Sequence, residues 1–115
     1  MIPTLIRLEG MFVFLACLSF YAQLNASWAL FAVLWLVPDI GMLGFLRSTK
    51  LGAITYNLTH TYLAAGLLAL IGYGLANPFL LSFAIIWISH IGLDRFLGYG
   101  LKYPTKFKDT HIQRL

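Results

Sequence analysis

The chain has 115 residues, 60% of them hydrophobic and 10% charged, with a net charge of +4 and a single cysteine. Soluble domains carry about 45–50% apolar and about 25% charged residues, and a domain this small exposes a large surface relative to its volume. Eight basic and four acidic side chains cannot cover that surface, so a soluble domain is excluded. The same numbers exclude disorder, and the lone Cys17 excludes a disulfide framework or a multi-cysteine metal cluster.

What remains is an all-α integral membrane protein. A span needs about 20 mostly apolar residues, and four segments qualify, at about residues 5–24, 27–46, 51–75 and 78–97. The first is densest at Met11–Tyr21, and Glu9 before it, with no small-residue cleavage site after it, argues against a cleaved signal peptide. Asn25-Ala26-Ser27 supplies N-cap chemistry for the second, which carries Pro38 in its interior. Arg47-Ser48-Thr49-Lys50 makes a polar connection to the third, and Asn77-Pro78 opens the fourth. The expected architecture is a four-helix bundle with short loops over residues 1–98, followed by a polar, basic tail over 99–115.

Orientation follows from the basic residues. Arg7 precedes the first span, Arg47 and Lys50 lie between spans two and three, and Arg95, Lys102, Lys106, Lys108 and Arg114 lie at or after the end of span four. All fall on one side of a four-span protein. By the positive-inside rule that side is cytoplasmic, with both termini inside the cell's inner (plasma) membrane. The surplus positive charge then reads as an orientation signal and an attraction to anionic lipid headgroups. It requires no nucleic acid.

The ionisable residues inside the spans are Glu9, Asp39, His60, His90 and Asp94, with Asn57 beside them. A charge at mid-membrane costs about 2.5–3.5 kcal/mol on insertion scales, so such groups face a bundle interior or a cavity. At a rise of about 1.5 Å per residue, Asp39 lies about 12 Å and His60 about 15 Å inside the cytoplasmic boundary. His90 and Asp94 are one turn apart on one face, as are Asn57 and His60. Pro38 frees a carbonyl beside Asp39, and Gly41 and Gly44 permit close helix approach. Singly, each group has a structural reading: a packing histidine, or Asp94 paired at the interface with Arg95 and Glu9 with Arg7. Jointly, convergence at one depth argues for a functional polar centre.

The patterns RLEG (Arg7–Gly10), PDIGMLGF (Pro38–Phe45), YNLTHTY (Tyr56–Tyr62) and HIGLDRFLGYGLKYPTKFKDTH (His90–His111) resemble a family of small bacterial membrane proteins catalogued as domain of unknown function 4260. The resemblance covers nearly the whole chain. It implies a four-helix membrane protein and carries no catalytic assignment.

Four functions compete. In the first, Asp39, His60, His90 and Asp94 ligate a zinc or iron ion in a membrane-embedded enzyme. Glu9 and Asp39 are then the candidate catalytic carboxylates, and Asn57, Asp109 and His111 support the ligands, the last two by a tail folded over the cytoplasmic mouth. No named ligand spacing such as HExxH is present. In the second, the layer binds protons or ions in a carrier or channel component, which requires a homo-oligomer. In the third, His60 and His90 are axial haem ligands, a reading with little in the sequence to mark a haem pocket. In the fourth, the chain is an accessory or structural subunit and the layer fixes packing only. Cys17, apolar on both sides, reads as a small core residue.

Overall fold

The computed structural model describes residues 1–104 and 108–115. Lys106, one of the basic residues of the tail, lies outside them. Six helical segments follow in order: α1 (Ile2–Gln23), α2 (Trp28–Leu34), a 3-10 helix (Val37–Leu46), α3 (Thr49–Thr59), α4 (Tyr62–Gly74) and α5 (Pro78–Leu97). They group into four helices long and apolar enough to cross a membrane: Ile2–Gln23, Trp28–Leu46, Thr49–Gly74 and Pro78–Leu97. No strand occurs among the described residues; a single antiparallel bridge pairs Lys102 with Thr110 in the tail.

Local chemistry sets the boundaries. Ser27, Ser48, Thr61 and Asn77 each accept backbone N–H groups of the turn that follows, from Leu30, Leu51, Leu63 and the Phe79–Leu80 pair. These are N-caps, satisfying donors that a helix start leaves unpaired. Pro38 and Pro78 stand in the first turn of their segments, where a missing N–H is harmless. Gly98 ends α5 at φ +96°, in the left-handed region that a Cβ disfavours.

Two of the four long helices are interrupted. The Trp28–Leu46 helix changes from α to 3-10 geometry ahead of Pro38, and the Thr49–Gly74 helix breaks at His60, where ψ is +18° and Thr61 restarts it as α4. A 3-10 run of 10 residues exceeds the usual three or four and marks a functional or strained stretch. Both interruptions lie at the polar layer.

α5 is the hub, packing against α1 and α4 and touching α2 and the 3-10 helix, while α3 packs on the 3-10 helix. Its inner face buries Ser82, Ile86, Ser89, His90 and Arg95. α1 meets α5 backbone to backbone: a Cβ on Gly92 would come within 2.8 Å of the Gly10 carbonyl, so both glycines are needed for the approach. Tyr21, Ile85 and Ile86 form an apolar core, with Cys17, Phe31 and Trp35 packed on it. Most remaining apolar side chains point outward, among them Phe12, Val33 and Leu70.

Candidate metal centre

His60 stands at the C-terminal cap of α3 and His90 in the C-terminal half of α5, and both are buried. Asp39 comes from the 3-10 helix and Asp94 from α5, one turn beyond His90. The four side chains converge, with one ligand atom from each lying within 4.8 Å of all the others. His60 Nε2 is 3.2 Å from Asp39 Oδ1 and 3.4 Å from Asp94 Oδ2; His90 Nε2 is 3.2 Å from each. Bonds of about 2.0–2.2 Å from a zinc ion to such ligands put neighbouring donor atoms about 3.3 Å apart. Four of the six donor separations, at 3.2–3.4 Å, suit that edge length, and they are equally the distances of hydrogen bonds between imidazole and carboxylate.

The hydrogen bonding of His60 sharpens this. Its Nδ1 lies 3.0 Å from the Tyr56 carbonyl oxygen and 2.9 Å from Thr59 Oγ1. A proton on Nδ1 pairs with that carbonyl and turns the Nε2 lone pair towards the two carboxylate oxygens, the arrangement a metal ion needs; a proton on Nε2 is donated to the carboxylates instead, with Nδ1 accepting from the Thr59 hydroxyl. Backbone carbonyls acting on Nδ1 are the usual means of fixing a ligating tautomer. The His60 ring is further held by stacking on Tyr56, with centroids 3.8 Å apart and planes 5° from parallel. His90 is braced by Trp35, its centroid 5.1 Å away.

Arg95 closes the break in the third long helix. It is 6% exposed, and its guanidinium donates to the His60 carbonyl at 2.8 Å and to the Tyr99 carbonyl at 3.1 Å. The Trp87 indole donates to the Thr59 carbonyl. The Thr59 and His60 carbonyls at the interruption are thus paired, which holds His60 at its edge. The interfacial Asp94–Arg95 pair that the sequence allows does not form. Adjacent helical residues project about 100° apart, so Asp94 faces the centre while Arg95 faces the helix break.

The other sequence candidates lie outside the cluster of four. Asn57 clamps the tail: its side chain donates to the Lys102 carbonyl at 2.8 Å and accepts from the Lys102 N–H at 2.6 Å. Asp109 is taken up in a two-pronged pair with Arg114, at 2.8 and 2.6 Å. His111 Nδ1 accepts from the Leu101 N–H at 2.8 Å. Glu9 is exposed and lines a separate cavity of about 380 Å³ with Thr61, Tyr62, Arg95 and His111. Arg7 donates to the Phe96 carbonyl at 2.7 Å and not to Glu9. The tail therefore folds back beside the centre and contributes Lys102. Its ammonium lies 4.4 Å from the Tyr56 ring centroid and 5.9 Å from that of Phe45.

Sequence reasoning missed the parts played by Tyr56, Trp87, Arg95 and Lys102. Tyr56 had a signal, standing one turn before His60. Lys102 had none, because its place depends on the tail's fold-back.

A cavity of about 250 Å³ lined by Asp39, Met42, Tyr56, Asp94, Tyr99 and Lys102 opens on the two carboxylates. The asymmetry is chemical: the histidine side of the centre is closed, the carboxylate side is accessible. The two imidazoles meet edge to face with centroids 5.3 Å apart and share both carboxylates, which leaves no planar slot for a porphyrin.

Comparison with curated proteins and with solved structures found no match. The family comparison did: over residues 3–115, essentially its whole length, the chain matches and so belongs to the family described as Domain of unknown function (DUF4260).

Proposed function

We propose that this is an integral protein of the inner (plasma) membrane, with both termini cytoplasmic. In this reading Asp39, His60, His90 and Asp94 hold one divalent ion of the zinc or iron class in a membrane-embedded enzyme. The observation that carries it is convergence: Asp39, His60, His90 and Asp94 each offer one donor atom, and these lie within 4.8 Å of one another. A divalent ion cancels the two carboxylate charges there, which are only partly exposed and repel each other when nothing positive lies between them. Imidazole with carboxylate is a donor set for zinc and iron. A structural ion is enclosed by its ligands. Here the cavity beside Asp39 and Asp94 leaves water and substrate a route to the ion, which supports catalysis over stapling.

Elemental analysis of protein purified in detergent tests this. One zinc or iron per chain is expected, with Asp39→Asn lowering it severalfold while the protein stays folded. Unchanged metal content in the variant, including none in both, with equal or higher thermal stability overturns the reading.

One observation favours a second reading. His90 Nδ1 is the buried side-chain polar atom left without a partner among the described residues. A histidine whose two nitrogens differ in this way suits proton transfer between a carboxylate pair and a transient donor. Metal-free protein with proton-coupled flux in vesicles would favour it.

A further inference from the structure

Resting on the metal-centre reading, we infer that docking of the tail and occupancy of the centre are coupled, with the last turn of α3 as the element they share. That turn carries Tyr56, Asn57 and His60. His60 offers Nε2 to the centre, Tyr56 stacks on the His60 ring at 3.8 Å, and Asn57 holds both backbone groups of Lys102, at 2.8 and 2.6 Å. Lys102 returns to the same turn, its ammonium 4.4 Å from the centroid of the Tyr56 ring. The tail thus grips the turn at Asn57 and at Tyr56, and Tyr56 in turn grips His60. Tyr56, His60 and Lys102 are all buried, so a shift in one is felt by the others.

The turn is also the end of a helix. His60 caps α3, and the chain breaks there before Thr61 starts α4. Helix ends fray, so this one needs outside contacts to keep a single shape. The ion and the tail supply them from two directions. An ion on Nε2 leaves the ring proton on Nδ1, which then donates to the Tyr56 carbonyl at 3.0 Å and draws the turn together. The docked tail fixes Asn57 and sets a cation against the Tyr56 ring. Both favour one arrangement of one element, which is the physical condition for coupling. The coupling is reciprocal: the factor by which docking raises ion affinity is the factor by which the ion strengthens docking. Access to the centre follows. Tyr99 and Lys102 both line the cavity beside Asp39 and Asp94. Tyr99 stays with α5, its N–H donating to the Asp94 carbonyl at 2.8 Å, whereas Lys102 is placed by docking. A filled centre holds Lys102 in the cavity wall, and an empty one loosens that wall and widens the route by which an ion enters.

Full-length protein in detergent, stripped with a chelator and titrated with cobalt(II), gives both halves of the cycle. The visible bands report ion binding, and hydrogen exchange at the Lys102 N–H reports docking. Saturating cobalt is expected to slow that exchange about fivefold or more. Asn57→Leu removes the grip on Lys102 and should weaken cobalt binding by a similar factor. His111→Gln loosens the tail from outside α3 and should weaken it in the same direction, which a local distortion of the turn would not explain. Tyr56→Leu removes the ring between tail and ligand and should cut the protection that cobalt gives Lys102. Exchange at Lys102 that is the same with cobalt bound and with cobalt removed overturns the coupling and leaves the metal centre standing. Unchanged cobalt affinity in both Asn57→Leu and His111→Gln overturns it too. Protection undiminished in Tyr56→Leu overturns Tyr56 as the link. Failure to bind cobalt overturns the metal reading, and the coupling with it.

Discussion

Asp94 and Arg95 are neighbours in sequence and face different problems. Asp94 supplies a carboxylate to the centre, and Arg95 donates to the His60 carbonyl, which a broken helix leaves open, and to the Tyr99 carbonyl just past the end of α5. A lysine has the charge but presents a single point of donation, whereas the guanidinium's planar fork reaches both His60 and Tyr99. Each buried carbonyl left unpaired costs about 1–3 kcal/mol. Arg95→Met, which leaves the buried His60 carbonyl open, is therefore expected to destabilise the protein by about 1–3 kcal/mol, read as a lowered melting temperature in detergent, and to loosen the hold on His60. Arg95→Lys should fall between wild type and Arg95→Met in both stability and metal content. A variant as stable as wild type, with full metal content, would show that the His60 carbonyl needs no donor. Residue types and depth made the converging cluster of Asp39, His60, His90 and Asp94 legible in the sequence: a carboxylate or histidine in an apolar span is costly unless partners await it in the bundle interior. The groups that orient the ligands were not legible, because Tyr56 and Arg95 act through backbone carbonyls, and any residue type carries those.

At the scale of elements, the sequence shows four apolar runs but conceals their internal breaks. Hydropathy is continuous through residues 49–74, and only the pair His60-Thr61, a polar residue followed by an N-cap type, marks the interruption. Pro38 was readable as a kink, while the long 3-10 stretch around it was not, since helix type depends on packing against α3. There Thr55 donates to the Gly41 carbonyl. The tail was readable as polar and turn-prone, and its docking rests on a few specific bonds. Leu101 and His111 exchange two of them: the Leu101 N–H donates to His111 Nδ1 at 2.8 Å, and the His111 N–H to the Leu101 carbonyl at 2.9 Å. Burial, and then the nearby Arg95 guanidinium, push the His111 pKa below its ordinary value of 6.5. Docking thus favours the neutral ring. Its contribution is full above the ordinary value and is lost as pH falls through the lower docked-state value. Protonation also turns Nδ1 into a donor facing another donor. Hydrogen exchange at Leu101 and His111, corrected for intrinsic rates, should lose protection on acidification from neutral pH, and His111→Gln should be poorly protected at every pH. Protection in the wild type that ignores pH would exclude His111 as the latch.

For the whole molecule, the distribution of charge follows the way the chain ends meet. The Arg7 side chain bonds to the Phe96 carbonyl, so the start of α1 and the end of α5 share one end of the bundle, and the tail docks at that end through Asn57. Arg47 and Lys50 fall in the connection between the Trp28–Leu46 and Thr49–Gly74 helices, while the other two connections carry no charge. A one-sided set of basic residues predicts that this side is cytoplasmic. The prediction is tested in a Cys17→Ala background with single cysteines that spare the capping residues. Ser48 and Asn77 are excluded because each accepts the hydrogen bonds that start a helix, and losing a cap costs about 1 kcal/mol. Thr49→Cys and Leu75→Cys are exposed neighbours of those caps, at opposite ends of the long helix. A membrane-impermeant maleimide added to intact cells should label Leu75→Cys and leave Thr49→Cys untouched, and inverted vesicles should give the reverse. Labelling of Thr49→Cys from outside would put the metal centre, the Lys102 cavity and the tail on the far side of the membrane. Anything that reaches the centre would then have to come from the outer leaflet or the space beyond it, so this experiment decides which side of the membrane the cavity beside Asp39 and Asp94 opens to.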